Sequence, residues 1–287
     1  MPLNLRENVE KGLKRMERLN KQHLQGRWDE LVRKAVALIP TVVNILEQTL
    51  QTLQLDANFV SSHFGEALRR VDEKATEIYL THEREVLEFT AQSWLEQNRD
   101  RFAQELPELI SLLHERGWED FKQRVMPIFV DFAELVQKLE KHLGNMRKAR
   151  GGQTFELAVA NLLSIIGVNC EKPKGKAQQQ LKRIDLVVPD IQTALSKPEQ
   201  AIFLTLKRTL RERWKQEVPA AQGRQCWLLT LDTDLSIDKA DEIRQLGLEA
   251  IYCLNDVAES LRFKGKTWVR SLDSLPNDLR RVLGVQS

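Results

Sequence analysis

The spacing of apolar residues changes about half-way along the chain. Up to about residue 145 they recur every three or four positions: Val32, Val36 and Ile39, then Val43, Leu46, Leu50 and Leu53, and later Phe129, Phe132, Val136, Leu139 and Leu143. That spacing lines them up on one stripe of a helix and predicts a succession of amphipathic helices without strands. Pro40, Pro107 and Pro127 are expected at helix starts or breaks, because proline lacks an amide donor and clashes with the preceding turn. The helical pattern resumes over 153–166 and stops at Gly167, a normal helix-ending position. Short apolar and β-branched runs follow at 168–170, 184–189, 201–206, 226–231 and 249–254. Helical stretches are expected at 208–218 and 238–246, with further short helices after 254. Strands joined by turns or loops should pair antiparallel, so the first three are expected to do so; those reached through helices should pair parallel. The predicted class is therefore α+β/α/β: an all-α domain over 1–146, then a mixed sheet with flanking helices over 147–287.

Length supports that division, since 287 residues exceed the ~250 at which single hydrophobic cores usually stop growing. With 42% hydrophobic and 29% charged residues the chain reads as an ordinary globular protein. A net charge of +2 gives the whole molecule no pull on an acidic partner, so any nucleic-acid surface must come from local clusters of Lys and Arg. Cys170, Cys226 and Cys253 lie far apart in apolar runs and form no CxxC pair. They read as reduced core residues of a cytoplasmic protein. The five histidines all fall in the N-terminal half without metal-ligand spacing, so no zinc site is expected. The first residues are too charged for a signal peptide, and no apolar run reaches the ~18 residues of a membrane span, so no membrane partner is expected.

Candidate chemistry lies in the second half. Asp185 opens an otherwise apolar strand, where a carboxylate is costly unless it is paired or holds a metal. Lys207 ends the next run, and alternation puts it on the same face as Thr205. If the two strands form a hairpin, Asp185 and Lys207 meet at one end of the sheet. A carboxylate that anchors a hard divalent cation, beside an ammonium that orients water or offsets developing charge, suits phosphodiester hydrolysis. The surrounding charge is basic: Lys172, Lys174, Lys176, Lys182 and Arg183 precede the pair, and Arg208, Arg211, Arg213 and Lys215 follow it. Such clusters supply phosphate contacts.

The run from Lys207 to Gln216 (KRTLRERWKQ) resembles the Lys-x-Thr-x-(Arg/Lys)-(Glu/Asp)-Arg-Trp-(Arg/Lys)-Gln pattern of type II restriction endonucleases related to the EcoRII catalytic domain. These belong to the PD-(D/E)XK nuclease superfamily, together with enzymes recognising CCGG- or CCNGG-type sites. Arg150–Glu156 (RGGQTFE) resembles a helix opening of that family, Lys182–Pro189 (KRIDLVVP) its Arg-x-Asp strand, and Cys226–Asp232 (CWLLTLD) a later strand. The match covers about 147–255. It implies a PD-(D/E)XK nuclease core, with Asp185 as the metal-binding aspartate and Lys207 as the catalytic lysine. Arg211, Glu212 and Arg213 would read base edges, since Arg can donate bidentately to guanine and Glu can accept from cytosine. Arg147, Arg150, Lys174, Lys176, Lys182 and Arg183 would contact DNA.

Three positions depart from the pattern. Thr205 stands where the wider superfamily carries its second acid, and Ala220 where the restriction subfamily supplies one from the next helix. Glu156 and Glu217 are both candidates to replace it, as catalytic groups and metal ligands. Gln153 replaces the family's lysine. Pro189-Asp190 is a literal Pro-Asp, but the Arg-x-Asp alignment selects Asp185. The glycines at 151 and 152 are expected to let backbone approach DNA at a helix N-terminus. The resemblance implies Mg²⁺ as cofactor, double-stranded DNA with a short palindromic CC/GG-containing site as substrate, a homodimer or higher homo-oligomer, and a cognate DNA methyltransferase. A structure-specific repair or recombination nuclease and a catalytically inactive DNA-binding protein are the alternatives on the same fold.

Overall fold

A computed structural model describes residues 26, 28–210 and 223–284. In chain order, the helices are α1 (Asp29–Val36), α2 (Val42–Leu53), α3 (Ala57–Ser62), α4 (Phe64–Gln97), α5 (Arg99–Arg116), α6 (Trp118–Ile165), α7 (Gly175–Gln180), α8 (Ile191–Ser196), α9 (Ile237–Gln245), α10 (Asn255–Ala258) and α11 (Leu275–Leu283). Five strands, β1 (Leu186–Val188), β2 (Ile202–Leu206), β3 (Gln225–Leu229), β4 (Ala250–Cys253) and β5 (Val269–Ser271), lie side by side in sequence order. β1 runs antiparallel to β2, with Leu186 opposite Leu204, and every later pair is parallel. The expected mixed sheet with flanking helices is present.

Two compact units form. One joins the described residues up to Pro40 with Tyr79–Arg147; the other joins Thr41–Ile78 with the described residues from Lys148 onward. Packing therefore does not follow the expected cut between 146 and 147. Phe64, Ala67, Leu68 and Val71 of α4 are fully buried in the same cluster as Phe155, Val159 and Leu162 of α6 and Leu204 of β2. A local helical period says which face is apolar, not which neighbour covers it.

Alternation along the strands explains the second unit. Leu186, Val188, Ile202, Leu204, Trp227, Leu229 and Tyr252 pack with α2, α4, α6 and α11. Val187, Phe203, Cys226, Leu228, Ile251 and Cys253 pack with Ala194 of α8, Ala240 and Ile243 of α9 and Val257 of α10. Both faces of a largely parallel sheet are thus covered, which is why its strands read as unbroken apolar runs. Side-chain caps set where several helices begin: the carboxylate of Asp190 accepts from Thr193 N at 2.7 Å ahead of α8, and Ser236 Oγ accepts from Lys239 N at 3.2 Å ahead of α9. After α6, Gly167 takes a φ of 76°, and Val168 N donates to Leu163 O at 2.9 Å. This closes the helix in a form that favours glycine.

In the first unit Trp94 meets Phe132 at a centroid distance of 4.9 Å and Phe102 at 5.7 Å, while its indole N–H donates to Asp131 at 3.1 Å. Leu135, Leu139 and Leu143 are fully buried.

Four local expectations need correcting. Residues 168–170 form no strand; only Glu171 makes an isolated antiparallel bridge to Val187. The fifth strand is Val269–Ser271, a three-residue segment too short and polar to register as an apolar run. Pro107 and Pro127 sit inside α5 and α6 rather than at their ends, each removing one helical hydrogen bond. Arg150–Glu156 does not open a helix, because α6 runs through it unbroken. Helix α9 lies where 238–246 was expected. Most of the expected 208–218 helix lies outside the described residues.

Because Leu68 is fully buried against the sheet-covering helices, Leu68→Ala is expected to cost about 2–5 kcal/mol. Urea unfolding of the full chain checks this.

Candidate active site

Asp185 reaches its place through a tight turn. Ile184 N donates to Leu181 O at 3.2 Å, Arg183 adopts a φ of 65°, and Asp185 N then donates to Leu204 O at 2.9 Å. The pairing of β1 with β2 is thereby extended to the residue just before β1. The carboxylate turns onto the end of β2: its Oδ2 accepts from Leu206 N at 2.6 Å and from Thr205 Oγ1 at 3.5 Å. Lys207 Nζ lies 3.6 Å from the same oxygen, with the two side chains only 18% and 17% exposed for Lys and Asp respectively. The expected convergence of the two residues is thus present. Thr205, standing where an acid is common, is fully buried and serves instead as a weak donor to Asp185.

Glu156 completes the group. It lies on α6 directly after buried Phe155, its carboxylate pairs with Lys172, and its charge acts on Asp185. Burial raises the carboxyl pKa of Asp185 above the ordinary aspartate value. The Lys207 ammonium and the Leu206 N–H oppose that rise, Glu156 adds to it, and Lys172 opposes it. Two carboxylates and two ammonium groups therefore share one corner of the second unit.

The chain around Lys207 is tied from several sides. Lys207 N donates to Leu229 O at 3.0 Å, extending the β2–β3 ladder. The guanidinium of Arg208 binds both oxygens of Asp72 on α4, at 2.7 and 2.8 Å. Leu210 N donates to Asp232 Oδ2 at 2.6 Å, and Leu210 O accepts from Lys239 Nζ at 3.1 Å. Asp232 is itself held by its N–H to Thr230 Oγ1 at 3.0 Å. This clamp fixes the point from which residue 211 departs. Arg211, Glu212, Arg213 and Glu217, expected to read bases or hold metal, lie outside the described residues.

The other expected DNA contacts divide. Lys174, Lys176, Lys182 and Arg183 are exposed beside the site, as is Lys172. Arg150 is half-buried within α6. Arg147 belongs to the first unit, where its guanidinium is bound to Glu83 at 2.7–2.9 Å and to Glu140 at 2.7–3.2 Å. Glu83 is 5% exposed, so this cation neutralises a buried acid. Arg208, read from sequence as part of the basic cluster, is likewise committed to Asp72. Gly151 and Gly152 sit within α6, so no helix N-terminus forms there. Asp190 caps α8, which accounts for the residue passed over in favour of Asp185.

The donor set suits a hard divalent cation. Asp185 and Glu156 offer only carboxylate oxygens, and the repulsion between them is what such an ion would relieve. Among the described residues no group of three or more His, Cys, Asp or Glu is arranged to hold a metal ion. The cysteines offer no thiolate: burial pushes Cys170 up to about 11 and Cys226 and Cys253 up to about 12.

A family model described as EcoRII C terminal matches residues 113–275, more than half of the chain. The chain belongs to the EcoRII C-terminal family. That match takes in Glu156, Asp185, Lys207 and the run up to Gln216, and reaches further in both directions than the motif resemblance over about 147–255. The type II restriction enzyme SsoII of Shigella sonnei is 32% identical over 130 residues, 42% of this chain and 41% of that protein; the chain thus matches less than half the length of this relative. In fold, the chain resembles a solved structure of metal-depleted Ecl18kI in complex with uncleaved, modified DNA, with TM-score 0.69 and 16% identity over 90% of this chain and 84% of the other. It also resembles the restriction endonuclease PspGI–substrate DNA complex, with TM-score 0.59 and 19% identity over 86% and 95% of the two chains.

Burial works against the charged form of Asp185, so the folded state binds its proton more readily than the unfolded chain. Stability tied to this group is greatest at low pH and falls as pH rises through the range between its ordinary and its raised pKa. Asp185→Asn is therefore expected to melt above the unmodified protein at pH 7–8, with the difference closing towards pH 4. Melting temperatures across that range check it.

Proposed function

We propose that this protein is a type II restriction endonuclease that hydrolyses one phosphodiester bond in each strand of double-stranded DNA. The observation that carries this reading is the 3.6 Å approach of Lys207 Nζ to Asp185 Oδ2 at the end of β1 and β2, with Glu156 close enough to act on the same carboxylate. Family membership and the DNA-bound state of both structural relatives support it.

Asp185 and Glu156 hold the cofactor, which we take to be Mg²⁺, with Glu217 as a further acid in place of Ala220. When bound, such a cation polarises the phosphate and lowers the pKa of the attacking water. Lys207, tethered through Asp185 and the β2–β3 ladder, orients that water or offsets negative charge as it develops on the phosphate. Exposed Lys174, Lys176, Lys182 and Arg183 contact the DNA backbone and position it. Arg211, Glu212 and Arg213, departing from the clamped Leu210, read a short palindromic site containing CC/GG. A two-fold symmetric site calls for a homodimer, and the helical unit either dimerises or clasps DNA. We place the enzyme in the cytoplasm, alongside a cognate DNA methyltransferase.

One observation favours a second reading, that of an inactive sequence-specific DNA-binding protein: only two carboxylates converge among the described residues, and Ala220 replaces the subfamily acid. Digestion of DNA of known sequence separates the readings. Discrete Mg²⁺-dependent fragments identify a restriction enzyme, whereas specific binding without cutting identifies the inactive protein.

Asp185→Ala and Lys207→Ala are each expected to abolish cleavage while keeping specific binding in a gel-shift assay. Normal cutting of saturated sites by either variant would remove that residue from the chemistry. Arg211→Ala is expected to lose about 1–3 kcal/mol of discrimination against a substituted base pair. Competition binding with single-substitution duplexes reads the loss.

A further inference from the structure

Each carboxylate of the site has its own ammonium partner, but the two partners differ. Lys207 is only 18% exposed and follows directly on β2. Lys172 is 46% exposed, and its partner Glu156 is 18% exposed. The backbone beneath Lys172 is fixed, because Glu171 exchanges hydrogen bonds of 2.9 and 2.8 Å with Val187, two residues from Asp185. Its long side chain is therefore delivered to the site from an anchored point, while the ammonium remains accessible to water. Exposed Lys174 and Lys176 follow on the same segment. The sequence places Lys172 in the basic cluster, but none of the catalytic or cation-binding roles assigned so far uses it.

We propose that Lys172 is the internal counter-ion of Glu156, which it occupies until a divalent cation takes that carboxylate and displaces it. This rests on Asp185 and Glu156 forming the cation site. Two neighbouring carboxylates repel, so without a cation the ammonium of Lys172 relieves Glu156 as Lys207 relieves Asp185. A doubly charged ion between the carboxylates does the same more strongly and repels a positive group beside it. Of the two lysines, Lys172 is the one that leaves more readily: its side chain is 46% exposed, against 18% for Lys207. The pair to be broken then sets the affinity for the cation. Lys172 is a positioning residue by this account, acting through Glu156 and not on the DNA.

Calorimetric titration of Mn²⁺ into the full chain without DNA tests this. Lys172→Met is expected to bind Mn²⁺ roughly two- to fivefold more tightly, the range set by what partly exposed ion pairs contribute. Lys172→Arg keeps a cation opposite Glu156 and is expected to return to the affinity of the unmodified protein. In a Glu156→Gln background the gain from Lys172→Met should vanish, since the coupling runs through that carboxylate. Equal or weaker Mn²⁺ binding by Lys172→Met overturns the counter-ion role and leaves the cation site intact. Failure of the unmodified protein to bind Mn²⁺ overturns the cation site itself and this role with it. If Lys172→Met and Lys172→Gln both melt far below the unmodified protein, Lys172 is a structural residue and the proposal is wrong.

Discussion

A carboxylate taken out of water at the end of a sheet has to be compensated, and much of the second unit is arranged around that requirement. Asp185 is pulled into place by the backbone pairing of β1 with β2, and its ionised form is opposed by burial. The Leu206 N–H and the Lys207 ammonium, both delivered by the end of β2, supply the compensation. Because the compensation is partial, the group stays destabilising in its charged form. A site that remains short of positive charge is one that gains by binding a cation, so the local cost to folding and the affinity for a metal have the same origin.

Precision at Lys207 comes from elements distant in the chain. The residue after it binds Asp72 of α4 through both carboxylate oxygens, and Leu210 is clasped between Asp232 and Lys239. These contacts explain why α4 begins in the unit that holds the sheet. Phe64, Leu68 and Val71 bury that part of the helix, and Asp72, one residue further on, turns to the site. Packing and active-site geometry are carried by consecutive turns of one helix, so a core substitution there would reach the chemistry through Arg208.

Cations that look alike in sequence are used in different ways. Arg147 neutralises the buried Glu83, Arg208 holds Asp72, and Lys172 covers Glu156, whereas Lys174, Lys176, Lys182 and Arg183 stand exposed. The first three are each paired with a carboxylate, which a phosphate contact would have to displace. A basic cluster counted along the sequence therefore overstates the charge that faces a partner.

The sequence alone determined the strands whose residues alternate between two covered faces, the helical first half, and the pairing of Asp185 with Lys207. These follow from local periodicity and from motif residues lying at the ends of strands consecutive in the chain, which usually pair with each other. Tertiary structure decided what local pattern does not encode. Val269–Ser271 becomes a strand because β4 offers it an open edge, not through an apolar run of its own. Gly151 and Gly152 stay helical within α6, although glycine disfavours it, because Phe155, Val159 and Leu162 pack the following turns into the core. The ion pairs Glu156–Lys172, Glu83–Arg147 and Asp72–Arg208 join residues 16, 64 and 136 positions apart. Such partners are fixed only when separate elements dock, since an exposed charge has many possible mates along a chain and a buried one has only those that packing brings to it.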